Sequence, residues 1–164
     1  MAGESEFSAR FLSAAAGAVA VCLVYQLGRH LFTRGAGLAT AAIVSVSPVV
    51  VYYGQEARMY SLLLALTIVW TLIWLRLLAV DTQADRSRLS GWALYVVIGV
   101  LCLYTHYFAV FVLAFHGLWT FLTRISRPRP LTCWLVAQGL VALLFLPWLL
   151  NISFDQMASW RQGA

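Results

Sequence analysis

The chain has 164 residues, 62% hydrophobic and 10% charged, with a mean hydropathy of +0.83. A soluble domain carries about 25% charged residues, so the composition excludes one and defines an integral membrane protein. All 11 basic residues are arginines, set against 6 acidic residues for a net charge of +5. They fall between apolar runs rather than in one patch, which argues against a nucleic-acid surface and for membrane orientation signals.

The leader Met1–Ser8 carries Glu4 and Glu6 and lacks the basic start of a secretory signal, so it reads as uncleaved, with Ser8 capping the first helix. A first span is predicted over 9–28, where Ser13 with Gly17 and Ala14 with Ala18 have the four-residue spacing that lets helices approach closely. Arg29, His30 and Arg34 form a short basic loop with Gly35 and Gly37, and a second span covers 38–53. Cys22, Cys102 and Cys133 lie in apolar runs without a CxxC or acidic neighbours, so they read as buried small apolar residues rather than as a disulfide or metal site.

The stretch SPVVVYYGQEARMYS, Ser47–Ser61, sets a charged heptad between two apolar segments at a membrane surface. Pro48 bends the backbone on entry, and Gly54 leaves it free to turn on exit. A helix restarting near Gly54 puts Tyr53, Glu56 and Tyr60 on one face and Arg58 on another. Residues two apart do not meet on a helix, so Glu56 is poorly placed to neutralise Arg58. Two readings stay open for Gln55, Glu56 and Arg58: charges that pin helix ends at the interface, or a guanidinium offered to an anion.

A third span covers 59–80, with Arg76 placed to snorkel toward headgroups. Asp81–Gly91 is polar. Trp92–Leu122 as one helix would be about 46 Å long, against a hydrocarbon core of ~30 Å. A reversal near Thr105 and His106 instead keeps Arg86 and Arg88 on the same side as Arg124, Arg127 and Arg129, giving spans 90–104 and 107–123. Pro128 and Pro130 punctuate the last basic loop. The sixth span, 131–150, has Pro147 near its end, and Asn151–Ala164 is a polar tail that opens with the glycosylation sequon Asn151-Ile-Ser153. Trp148 and Trp160 read as interfacial belt residues. His106, between Tyr104 and Tyr107, belongs either to such a belt or to an outer cavity shared with Arg58.

The expected architecture is thus all-α, a polytopic transmembrane helix bundle of about six spans in a single membrane domain. The loops around Arg29, Arg86 and Arg127 face the cytoplasm, and both termini, Gln55–Arg58 and His106 lie outside. No span carries an acidic residue at mid-depth, which counts against a proton relay or cation pathway.

The segments GESEFSARFLSA, SPVVVYYGQEARMYSLLLAL and LCLYTHYFAV resemble the membrane core of glycosyltransferase family 39, the dolichyl-phosphate-mannose protein mannosyltransferase-like enzymes of the C-type fold. The resemblance implies transfer of a sugar from a polyprenyl-phosphate donor to an acceptor on the outer face, usually with inversion, in a bacterial plasma membrane. It points to Arg58 as the phosphate ligand, Gln55 and Glu56 as partners of phosphate, arginine or sugar, Tyr53 and Tyr60 as pocket walls, and His106 as a further substrate-binding residue. The family's catalytic carboxylate, in an acidic first outer loop, has no counterpart assigned here, and neither Glu4 nor Glu6 takes that role. The chain is accordingly expected to be a fragment without the first span, first outer loop and C-terminal part, inactive alone. No cofactor is evident, although the full-length family can use a divalent metal, and partners are the lipid-linked donor and membrane lipid. The alternative is a non-enzymatic membrane subunit that binds or transports a lipid-phosphate carrier.

Overall fold

The computed structural model describes residues 2–56, 58–79, 86–124 and 128–162, with side chains over 8, 10–56, 58–79, 89–123 and 131–150. The charges at Glu4, Glu6, Asp81, Asp85, Arg86, Arg88, Arg124, Arg127, Arg129 and Asp155, the sequon and Trp160 lie outside the described side chains. The described residues form seven helices and no strand: α1 (Ala2–Leu31), α2 (Arg34–Ser45), α3 (Pro48–Gln55), α4 (Tyr60–Ala79), α5 (Arg86–Thr105), α6 (Ala109–Arg124) and α7 (Pro128–Gln162).

Among the described residues, three segments are long and apolar enough to cross a membrane, Arg10–Leu31, Tyr60–Ala79 and Leu131–Leu150, and α2 with α3 make a fourth if taken as one broken span. The second expected span is broken, because α2 and α3 meet at a bend of 57°. Pro48 cannot donate into the preceding turn, so it opens α3 at its first position behind Ser47 instead of extending α2. Leu89–Thr105 and Ala109–Thr123 are shorter apolar helices. They form a hairpin: Tyr95 Oη lies 3.3 Å from His116 Nδ1, eleven residues before and ten after the turn at His106. The break between the two helices falls between Thr105 and Ala109.

Several local expectations are corrected. Ser8 lies inside α1, which starts at Ala2. Arg29 and His30 occupy the last turn of α1, while Gly35 and Gly37 are already helical in α2, capped by Thr33 Oγ1 accepting from Ala36 N at 3.1 Å. Gly37 is where α1 and α2 touch, since a Cβ there would stand 2.7 Å from Tyr25 O and 2.9 Å from Arg29 N. On α1 the packed stripe is Ser13, Ala16, Gly17 and Ala20, whereas Ala14 and Ala18 are exposed. Cys102 is buried, but Cys22 and Cys133 are exposed on the apolar outer surface. The polar tail continues α7 as far as Gln162.

The core is built by α4, α5 and α7, with Trp70 and Trp74 of α4 at its centre against Tyr95, Val96 and Cys102 of α5 and Ala137 and Val141 of α7. The outward faces of α6 and α7 carry exposed Phe111, Leu118, Leu122, Leu135 and Leu143, which suits lipid. Hydroxyls within the helices are satisfied locally, as when Thr40 Oγ1 donates to Ala36 O (2.7 Å) and Thr105 Oγ1 to Leu101 O (2.7 Å). In the turn preceding Pro147, Tyr104 Oη of α5 donates to Leu144 O at 3.1 Å. The chain therefore runs up and down between two ends. One end gathers the start of α1, the α3–α4 connection and the α5–α6 turn.

Candidate functional site

That end is shaped by an elbow between α3 and α4. α3 stops at Gln55, Glu56 takes an extended conformation (ψ 141°), and α4 begins at Tyr60, so the anticipated helix through Gly54 to Tyr60 does not form. Two hydroxyls pin the elbow from the apolar side: Ser13 Oγ donates to Arg58 O (3.2 Å) and Ser61 Oγ to Tyr53 O (2.9 Å). Each ties a loose carbonyl to a neighbouring helix where water is scarce.

The break in the helix reverses the expected relation of the charges. Arg58 N donates to Glu56 O at 2.8 Å, and Arg58 Nε sits 3.1 Å from Glu56 Oε2. That oxygen makes no directed hydrogen bond, so the contact is charge to charge. The other carboxylate oxygen, Oε1, accepts from Tyr52 Oη at 2.6 Å, one helical turn back. Glu56 is thus held by Tyr52 and in turn holds one edge of the Arg58 guanidinium. The Arg58 side chain is 57% exposed, and among the described residues its terminal nitrogens meet no acceptor. Gln55, exposed at the end of α3, joins none of these contacts.

Aromatic rings continue from the elbow into the α5–α6 turn. Tyr53 lies 4.6 Å from Tyr60, Tyr60 lies 5.7 Å from His106, and His106 stacks on Tyr107 at 4.8 Å. His106 Nδ1 accepts from Phe108 N at 3.2 Å, which fixes the ring at the start of α6. Behind these rings is a cavity of about 410 Å³ between α1, α3, α4 and α6, lined by Gly17, Val49, Val50, Tyr53, Tyr60, Ser61, Leu63, Leu64, Thr67, Phe108, Ala109 and Val112. The lining is almost wholly apolar. Neither His106 nor Arg58 lines it: Arg58 lies two residues before Tyr60 of the wall, and the His106 ring packs against Tyr60 and Phe108. Gln55 and Glu56 also lie outside it.

A second polar cluster lies deep in the bundle and holds no acidic residue among its described members. His116, Thr120 and Tyr95 are fully buried, and Trp74 stacks on His116 with ring centres 4.4 Å apart. Thr71 Oγ1 is 3.2 Å from His116 Nε2, Trp74 Nε1 donates to Thr120 Oγ1 at 3.0 Å, and Gln138 Nε2 donates to Tyr95 Oη at 2.8 Å. Its sequence signal is a single ionisable residue inside an apolar run. Among the described residues there is no group of three His, Cys, Asp or Glu side chains able to hold a metal ion.

Fold and site together define an integral membrane protein of helical type that sets an exposed arginine two residues from the wall of an apolar cavity. The family model for dolichyl-phosphate-mannose-protein mannosyltransferase matches residues 1–150, and the chain belongs to that family. It is similar to undecaprenyl phosphate-alpha-4-amino-4-deoxy-L-arabinose arabinosyl transferase 1 of Pseudomonas fluorescens (strain Pf0-1), with 29% identity across 97% of this chain. The chain spans 28% of that relative's length. No solved structure matches it.

Proposed function

We propose that the chain forms the carrier-binding part of a membrane glycosyltransferase that takes a hexosyl or pentosyl group from a polyprenyl phosphate and passes it to an acceptor at the outer face of a bacterial plasma membrane. Family membership and the relative's name, which pairs a lipid phosphate with a pentose, support the donor class. The observation that carries the reading is the half-committed guanidinium of Arg58, tethered at Nε by Glu56 and open at its outer edge beside an apolar cavity. A prenyl chain needs apolar walls and its phosphate needs a cation at the interface. The elbow supplies both within a few residues.

When the bond between the anomeric carbon and the phosphate oxygen breaks, its electron pair stays on the phosphate. The paired outer N–H groups of Arg58 stabilise that growing charge in a fork geometry that a phosphate matches. Glu56 is the orienting group, since it fixes the plane of the guanidinium before substrate arrives. Tyr53 and Tyr60 wall the passage from phosphate to chain, and His106 and Gln55 border it on the solvent side. Activation of the acceptor is assigned to none of the described residues. A divalent ion, which full-length relatives can use, finds no fitting ligand set among them, and no step here uses one.

The topology proposed for this role is a C-type membrane core of six passes, 9–28, 38–53 (broken at Pro48), 59–80, 90–104, 107–123 and 131–150, with the elbow outside. A photoreactive prenyl phosphate incorporated with the protein into lipid discs tests the reading. Adducts are expected on Val49, Val50, Leu64 or Val112 and are expected to be competed by unlabelled polyprenyl phosphate but not by polyprenol. Labelling confined to the outer faces of α6 and α7, or insensitive to phosphate, contradicts it.

A further inference from the structure

We infer that His116 is a positioning residue for the cavity, acting as a neutral imidazole protonated on Nε2 within a one-way chain of hydrogen bonds that crosses four helices. The significance given to the cavity rests on the carrier reading above; the chain itself does not. Its direction follows from counting donors. Gln138 Nε2 of α7 donates to Tyr95 Oη of α5 at 2.8 Å, which leaves the Tyr95 hydroxyl hydrogen for His116 Nδ1 of α6 at 3.3 Å. On the far side, Thr71 Oγ1 of α4 already donates to Thr67 O at 2.8 Å, so at 3.2 Å from Nε2 it can only accept. This orientation makes four bonds. The reverse, with Gln138 flipped to accept, makes three, because Thr71 must give up the Thr67 carbonyl to reach the ring. A hydroxyl has one hydrogen to spend, and that decides the tautomer.

A cationic ring does not fit. Its described neighbours are Thr71, Tyr95, Trp70, Trp74 and Phe115, none of them anionic, and a charge buried without a partner is costly.

The link to the site is a shared seam. Ala109 and Val112 line the cavity from α6 and His116 follows at three- and four-residue steps on the same face. Leu63, Leu64 and Thr67 line it from α4, and Thr71 follows Thr67 by one turn. The α4 and α6 faces that part to form the cavity are thus tied together one turn deeper by Thr71 with His116, and again by Trp74 with Thr120. That tie sets how far the helices stand apart at the mouth.

The test uses the full chain in lipid discs with three readouts: ring nitrogen chemical shifts of His116, the distance between spin labels on exposed Met59 and Phe111, and affinity for a short-chain prenyl phosphate. In wild type the expected spectrum shows bare Nδ1 and protonated Nε2. His116→Phe is expected to shift or broaden the label distance and to weaken affinity about threefold to tenfold, the size of one or two intramembrane hydrogen bonds. His116→Gln, whose amide can still reach Thr71, is expected to restore the distance. If His116→Phe does not fold, Thr71→Val removes the hydroxyl that accepts from Nε2 while leaving the ring in place, and should give the same shift. A proton on Nδ1, or variants that lose thermal stability while distance and affinity stay at wild-type values, would overturn the inference. Should wild type fail to bind prenyl phosphate, the carrier reading falls, while the nitrogen spectrum and label distance still decide the role of His116.

Discussion

The elbow at Gln55–Tyr60 and the cluster around His116 are both polar islands in an apolar chain, and they treat their polar atoms in opposite ways. In the cluster, Thr71 donates to Thr67 O, Trp74 to Thr120 and Tyr95 to His116, which is fully enclosed. At the elbow, the inward hydroxyls of Ser13 and Ser61 are spent on backbone, but the outer edge of Arg58 meets no acceptor among the described residues. The paired groups of the cluster hold helices together, although Gln138 Oε1 and Trp70 Nε1 beside them meet no partner among the described residues, and an unpaired group at the surface is available to a ligand. Changes in the first region should therefore register as stability, and changes in the second as binding.

The largest stability effect is expected in the cluster. Trp74→Ala removes a stacked indole and strands Thr120, and should cost about 3–5 kcal/mol, read as a lowered midpoint in detergent denaturation. A smaller loss, of about 1–3 kcal/mol, is expected for Gly37→Ala, because the new methyl meets backbone of α1 rather than a movable side chain. Gly139→Ala, with open space around it, serves as the control and should leave the midpoint in place. A Gly37 variant as stable as the Gly139 one would break the close α1–α2 packing.

At the elbow the order reverses. Glu56→Gln should change stability by less than about 1 kcal/mol, since an ion pair to an exposed arginine contributes little, yet should weaken prenyl phosphate binding because the guanidinium loses its tether. Equal loss of stability and binding would merge the two regions. The smallest effect is expected for Tyr52→Phe, which removes one exposed bond to Glu56 and should leave the midpoint where it is in wild type.

The helix breaks are legible in the chain because lipid imposes a length on each apolar run, and the helices end at Leu31, Ala79 and Thr105, near where those runs end. The turn at His106 follows from that arithmetic alone. The elbow is less legible: Pro48 announces the bend before α3, but nothing local says that α4 waits until Tyr60, and the pairing of Glu56 with Arg58 depends on that gap. The six residues Tyr53, Gln55, Glu56, Arg58, Tyr60 and His106 do gather at one end of the bundle, with only the two tyrosines in the cavity wall. His116 stayed hidden for another reason. Its partners come from α4, α5 and α7, so its meaning lies in tertiary contacts that no spacing within one helix reveals.

The central claim is that Arg58 holds a lipid phosphate, and it is tested most directly by binding of a short-chain polyprenyl phosphate to wild type, Arg58→Lys, Arg58→Ala and Arg76→Ala. An interfacial anchor needs only a cation, which Lys supplies by snorkelling. A phosphate clamp needs the planar fork. The account predicts that Arg58→Lys loses about tenfold to a hundredfold in affinity, the equivalent of one charge-assisted hydrogen bond of roughly 1.5–3 kcal/mol. Arg58→Ala should lose more, and Arg76→Ala should bind as wild type does. Equal affinities across the four proteins would contradict it.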